Sequence, residues 1–162
     1  MKISSLTSRH NYFEDFRPSE VIKHARGKTI ESLENVMFSN LVMNTSQGHF
    51  NEHYSAGLPY PFGQRVVFGG ITFALVVGLA SQDTSENAIA ELSVEKISFK
   101  APVHHGDTIY AYTEVIEVGD APEREDGGIV RFRHWGVNER DQIVCEAERT
   151  VLVKRRSHWG DR

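Results

Sequence analysis

A single cysteine, Cys145, stands among 162 residues, so no internal disulfide can brace the fold. Positive charge is not in excess either. Lys and Arg number 18 against 22 Asp and Glu, a formal net charge of −4, and without a basic field there is no counterion release to draw nucleic acid or an acidic membrane. Long apolar runs are missing too: the longest, Ile71–Ala80, is broken by Thr72 and Gly78 and falls far short of the ~20 residues that span a bilayer. The opening segment, MKISSLTSRHNYFEDF, has no apolar h-region of a secretion signal. Together these absences predict a soluble protein of the reducing cytoplasm, with neither nucleic acid nor membrane as a partner.

What is there is the material of a core. Hydrophobic residues make up 40%, and the aromatics are nine Phe, five Tyr and two Trp, a balance that excludes intrinsic disorder. No repeat or low-complexity stretch divides the chain, and one domain over residues 1–162 with a core of about 13–153 is expected. Between Thr29 and Asn44 the apolar residues Ile30, Leu33, Met37, Phe38, Leu41 and Val42 recur at helical spacing, with Thr29 placed to cap, which predicts an amphipathic helix. From Gly70 to Ser81 (GITFALVVGLAS) almost no polar side remains, and a helix apolar all round must be surrounded by other structure. Segments 91–100, 108–118, 128–138 and 142–154 are rich in β-branched and aromatic residues and joined by turn-like connections, GDAPEREDGG among them. Segment 19–28 offers a further strand. Leu92 and Val94 change phase against Ile97 and Phe99, as a β-bulge would make them. One buried helix followed by antiparallel strands predicts an α+β fold in which a curved sheet wraps the helix, the hot dog arrangement.

His49-Phe50-Asn51-Glu52-His53 has the letters of the inverted zincin motif H-x-x-E-H, which would set two imidazoles one helical turn apart with Glu52 as base. Five letters with two wildcards are a weak warrant and a third ligand has no source, so no metal is expected and His53 is read as facing solvent. His104-His105 at a later turn is read as solvated. The C-terminal Lys154, Arg155, Arg156, Asp161 and Arg162 are read as a frayed tail.

The wider segment from Leu41 to Ala56 (LVMNTSQGHFNEHYSA) resembles the hydratase segment of the MaoC-like acyl-CoA dehydratases, the (R)-specific enoyl-CoA hydratase family, whose pattern reads D-x-N-P-x-H-x-D-x-x-Y-A. Arg65-Val66-Val67-Phe68-Gly69-Gly70-Ile71-Thr72 is similar to the family's R-x-V-H-G-x-x-T, with Phe68 at the histidine. Ile97 to Val103, followed by Gly106-Asp107-Thr108, looks like its R-F-x-x-P-V-x-x-G-D strand and turn. The branch containing mesaconyl-CoA hydratase and β-methylmalyl-CoA dehydratase looks closest, and the likeness runs from about Phe13 to Val153. His49 falls on the family's histidine. Asn44 stands in place of its catalytic aspartate, Ser46 in place of its asparagine and Gln47 in place of its proline.

The resemblance implies reversible hydration of a short 2-enoyl-CoA, or dehydration of the 3-hydroxyacyl-CoA, on branched or dicarboxylic acyl groups among others. It implies His49 as acid and base, Asn44 positioning water or thioester, Ser46 on the substrate, no cofactor beyond the coenzyme A of the substrate, and a homodimer or higher homo-oligomer. The chemistry needs a group to take a proton from water and donors for the thioester oxygen as enolate charge develops. Unpaired N–H groups of Gly69, Gly70 and Ile71 at a helix start suit the second task, and the Thr72 hydroxyl is placed to contact substrate. An amide at position 44 can hold a water but cannot accept its proton. Two other readings stand beside this one: a hot dog acyl-CoA thioesterase, and a non-catalytic acyl-CoA or protein-binding module. Fold alone does not choose among them.

Overall fold

The computed structural model describes residues 1–4 and 11–160. Its strands are β1 (Lys2–Ile3), β2 (Val21–Thr29), β3 (Ala88–Phe99), β4 (Thr108–Asp120), β5 (Gly127–Val137) and β6 (Ile143–Lys154). Its helices are α1 (Ser32–Leu41), the short α2 (Gln47–Phe50) and α3 (Glu52–Ala56), α4 (Gly69–Thr84) and a C-terminal turn α5 (Arg156–Trp159). The strands form one sheet in the order β1-β2-β4-β5-β6-β3, parallel at β1–β2 and antiparallel at the other pairings. With α4 lying against it, this is the expected α+β hot dog arrangement.

Close approach of α4 to the sheet depends on one missing side chain. A Cβ on Gly136 of β5 would sit 2.4 Å from a Val76 methyl, so glycine there lets the helix settle onto the strand. Val76 then packs in a dry cluster with Ile30, Val67, Val103, Ile109, Ala111, Val144 and Cys145. A second cluster gathers Phe13, Phe16, Val115, Val130, Phe132, Val151 and Val153, with the Phe16 and Phe132 rings edge to face. The bulge read from Leu92, Val94, Ile97 and Phe99 is present: the β3–β6 register shifts between Glu95 and Ser98, and Lys96 has φ of 51°.

Four expectations are corrected. The α4 segment is not buried on nearly all sides: Thr72, Val76, Ala80 and Thr84 form the buried stripe, whereas Ala74 and Gly78 are exposed and most other residues half-buried. One sheet covers one face of a helix, and the apolar remainder is left open. Helix α1 inverts its expected faces. Asn35 and Ser39 are its buried residues, while Leu33, Met37 and Leu41 are 65%, 61% and 82% exposed. Thr29 does not cap it. Thr29 ends β2 with its hydroxyl on that of Thr108, and Glu31 is the N-cap, its backbone N–H donating to Glu34. The C-terminal segment is not frayed as far as Gly160. Arg155 pairs with Asp120 and lies over the Phe13 ring, Arg156 pairs with Asp15, and the Trp159 indole N–H donates to the Asp126 carbonyl. Asp161 and Arg162 lie outside the described residues.

The far end of α4 is held by a buried polar chain. Asp83 accepts from the Ser4 hydroxyl at 2.7 Å and from His24 Nδ1 at 2.6 Å. His24 Nε2 meets the Thr113 hydroxyl at 2.7 Å, and that hydroxyl meets His134 Nδ1 at 2.7 Å. The Thr113 hydroxyl, with one hydrogen to give and lone pairs to receive, links the two imidazoles. Burial would raise the Asp83 pKa, but the bonds from His24 and Ser4 outweigh it and hold the carboxyl below its usual range. Burial, with Arg149 and His24 nearby, holds His134 well below the ordinary imidazole value of 6.5.

For His134 the folded pKa lies below the unfolded one, so as pH falls past 6.5 the unfolded chain takes up a proton that the folded chain refuses. Stability should therefore fall on acidification through this range, and further as Asp83 is protonated at lower pH. The urea midpoint should be lower at pH 5.5 than at pH 7.5, and His134→Gln should lose part of that slope. Equal midpoints at the two pH values in the unaltered chain would contradict it.

Candidate active site

The stretch after α1 turns twice before reaching α4, and its hydrogen bonds set where His49 sits. The Val66 N–H donates to the Gly48 carbonyl at 3.0 Å, and Val67 N–H to the Val103 carbonyl at 2.8 Å. Segment 48–50 is thereby fixed beside segments 66–68 and 103–105. His49, on α2 and half-buried, lines a cleft of about 380 Å³ together with Pro61, Gly69, Thr72, Phe99, Lys100 and Pro102. Its Nδ1 is 2.8 Å from the Val66 carbonyl oxygen. A carbonyl only accepts, so Nδ1 carries the hydrogen. In the neutral ring Nε2 is then the basic nitrogen, and it has no protein partner among the described residues.

The start of α4 reaches the same cleft through Gly69. Phe68 is the N-cap of α4. Its own N–H donates to Asn35 Oδ1 at 3.1 Å, and its carbonyl accepts from Ile71 N–H at 2.9 Å and Thr72 N–H at 3.4 Å. Gly69 and Gly70 have no such bond among the described residues, so their N–H groups remain for a ligand, at the positive end of a helix dipole. Ile71, expected as a third donor, is corrected: its N–H is taken by Phe68, and its side chain lines a different cavity of about 200 Å³ with Ile30, Phe38 and Leu75. Close packing explains the glycines. A Cβ on Gly69 would lie 2.9 Å from the Phe99 ring, and one on Gly70 would lie 2.5 Å from the Phe68 ring. That Phe68 ring stands 5.6 Å from the His49 ring.

The structure thus brings His49, Gly69 and Thr72 into one cleft, with Gly70 next in the chain. Thr72 is only 2% exposed. Asn44 and Ser46 are not among the cleft's lining residues. Asn44 Oδ1 accepts from the Ser46 N–H at 3.2 Å, closing a local turn, and the exposed Ser46 gives its carbonyl to the His49 N–H. The H-x-x-E-H letters do not share a helix face, because α2 ends and α3 begins at Asn51. His53 is exposed, Glu52 pairs with Arg65 at 2.7 Å, and no cluster of three or more His, Cys, Asp or Glu with metal-binding geometry occurs among the described residues. His104 and His105, read as solvated, are half-buried and each has a protein partner: His104 Nε2 donates to the Pro61 carbonyl at 2.9 Å, and His105 Nε2 meets the Asn35 amide nitrogen. Burial, with Arg65 close by, holds the His105 pKa below its ordinary value.

Sequence reasoning missed Asn35 and Lys100. Asn35 sits on what reads as the solvated side of an amphipathic helix, and Lys100 is one charge among many. A polar pair at i and i+4, Asn35 and Ser39, was the only signal, and it is the signal of an exposed face as much as of a buried one.

Residues 5–155 match the family model described as mesaconyl-CoA hydratase. The chain is 30% identical to β-methylmalyl-CoA dehydratase of Chloroflexus aurantiacus, over 95% of this chain and 43% of that protein. It is 29% identical to the (R)-specific enoyl-CoA hydratase of Rhodospirillum rubrum, over 90% of this chain and 94% of that protein. A crystal structure of a MaoC domain protein from Chloroflexus aurantiacus superposes with a TM-score of 0.82 at 29% identity, covering 90% of this chain and 45% of that one. The chain spans less than half the length of the β-methylmalyl-CoA dehydratase and mesaconyl-CoA hydratases that it matches.

Cys145 is not a rival nucleophile. It is buried in β6, and burial together with Glu146 pushes its thiol up to about 11. The native chain should resist a thiol reagent at pH 8 and label fully in denaturant. Stoichiometric labelling of the folded protein within minutes would contradict this.

Proposed function

The chain belongs to the mesaconyl-CoA hydratase family, and from that premise we propose that it adds water reversibly across the double bond of a short 2-enoyl-CoA, branched and dicarboxylic acyl groups included. The observation that carries the proposal is the pairing, in one cleft, of a histidine whose Nδ1 hydrogen is committed to Val66 with a helix start whose Gly69 and Gly70 N–H groups are uncommitted. His49 Nε2 takes a proton from water as the water oxygen bonds to C3. The electron pair of the double bond moves toward the thioester oxygen, where the two glycine N–H groups meet it. The imidazolium then returns a proton to C2, which completes the addition of one water. No group beyond the substrate's own coenzyme A is needed. Lys100, the other ionisable residue lining the cleft, suits the anionic end of the substrate.

Asn44 keeps a supporting role. Its Oδ1 is used by Ser46, which leaves its amide hydrogens for a water or the thioester and no site for a proton. Thr72, which lines the cleft, remains the candidate substrate contact.

A homodimer or higher homo-oligomer in the cytoplasm completes the reading. Edge strand β3 exposes Leu92, Val94, Ile97 and Phe99, and α1 exposes Leu33, Met37 and Leu41. Unpaired edges and apolar patches of this kind are covered in native assemblies. Sedimentation at micromolar concentration should give twice the 18.3 kDa chain mass or more. A stable monomer would contradict the dimer.

Purified protein should consume crotonyl-CoA or mesaconyl-CoA with loss of enoyl absorbance. His49→Ala should lower kcat by ~10²-fold or more, about 2.7 kcal/mol of transition-state stabilisation, with the fold intact. Asn44→Ala should cost less, because it removes a positioning bond and no proton carrier. Release of free thiol in place of hydration would favour a thioesterase, and full activity in His49→Ala would remove the assignment.

A further inference from the structure

Resting on the hydratase reading, we propose that Asn35 is a positioning residue that couples the base to the oxyanion donors, fixing His49 in its Nε2-basic form and the start of α4 with one side chain. Asn35 is 0% exposed, so every polar atom of its amide must find a protein partner or cost the fold its desolvation. The oxygen accepts the Phe68 N–H at 3.1 Å. The nitrogen reaches three acceptors: His105 Nε2 at 2.9 Å, the Val66 carbonyl at 3.3 Å and the His49 carbonyl at 3.4 Å. Two hydrogens serve three acceptors, so at least one bond is shared.

Each partner has a job in the site. Val66 offers the carbonyl that commits His49 Nδ1, and Asn35 holds that same oxygen. The His49 carbonyl anchors the backbone of the residue itself. Phe68 precedes the two glycines, and with its N–H directed onto Asn35 the peptide plane leading into Gly69 is set. The Phe68 N–H can only donate, so the Asn35 oxygen faces it and the amide nitrogen faces His105 Nε2. A single rigid carboxamide therefore spans the distance between the group that moves the proton and the groups that stabilise charge. Misplacing one relative to the other by about 1 Å can cost ~10²-fold in rate while leaving substrate binding alone.

Three variants separate this role from mere support of α1. Asn35→Asp keeps the shape and the oxygen that Phe68 needs but loses both hydrogens, and Asn35→Ala loses everything. Ser39→Ala is the control, since Ser39 is equally buried one turn along the same helix and its hydroxyl has no hydrogen-bond partner among the described residues. Imidazole nitrogen spectra of the substrate-free protein report the His49 tautomer, and steady-state rates with crotonyl-CoA report kcat and KM. In the unaltered chain and in Ser39→Ala, neutral His49 should carry its hydrogen on Nδ1. In both Asn35 variants the Nε2–H tautomer should appear and kcat should fall ~10- to 100-fold, with KM within about twofold. Retention of the Nδ1–H tautomer and of kcat in the Asn35 variants would overturn the proposal.

Amide exchange in the unaltered chain gives a test that needs no variant to fold: Phe68 N–H should be protected and Gly69 and Gly70 N–H should exchange fast. Equal exchange at the three would also overturn the proposal. Failure of the hydratase reading itself shows separately, as an unaltered chain that does not turn over crotonyl-CoA while its tautomer and exchange pattern stand.

Discussion

A carboxamide sealed from water has to be satisfied on all sides, and that demand at Asn35 ties α1 to parts of the chain that backbone bonds at Val66 and Val67 bring side by side. The amide joins α1 to the His49 turn, to the strand-like segment at Val66–Phe68 and to the His105 turn. Those bonds join the Val66–Gly48 backbone bond and the His104–Pro61 contact in holding the segment from Asn44 to Arg65. Its helices are a turn or so long, and residues 51–54 are exposed. Hydrophobic packing alone does not fix orientation to the tenths of an ångström that proton transfer requires, whereas hydrogen bonds with fixed donors and acceptors do.

The same separation of duties runs through α4. Its middle is anchored by shape, Val76 seated over Gly136, and its far end by the chain from Asp83 through His24 and Thr113 to His134. Its first turn is left chemically open, with two glycine N–H groups uncommitted. A helix pinned at the middle and far end presents its N-terminus to a ligand with little freedom to move away, which is the preorganisation that charge stabilisation in a low-dielectric site depends on. The open apolar face of α4, the inverted face of α1 and the edge of β3 are surfaces that one sheet cannot cover.

Most of the scaffold was legible in the residues. β-Branched and aromatic runs located β2 to β6 to within a few residues, and the phase change between Val94 and Ile97 located the bulge at Lys96, because strand periodicity is a local property. The glycine-led apolar run located α4. The faces of α1 were misread for a physical reason. Periodicity shows that apolar residues share a side, and it does not say whether that side meets this chain's own core or another surface. Leu33, Met37 and Leu41 point away, and Asn35 and Ser39 point in. At the site, His49 and the glycines could be read from type and order, but the commitment of Ile71 N–H to Phe68 and the turn closed by Asn44 and Ser46 are products of backbone geometry that no spacing reveals.

The central claim is that a thioester lies between His49 and the start of α4. A crystal structure of His49→Ala holding unreacted crotonyl-CoA tests it most directly. The thioester oxygen should be ~3 Å from the Gly69 or Gly70 nitrogen, as a hydrogen bond requires, with C3 turned toward the space that the imidazole vacates. A thioester seated in the cavity lined by Ile30, Phe38 and Ile71, away from both glycines, would contradict the account.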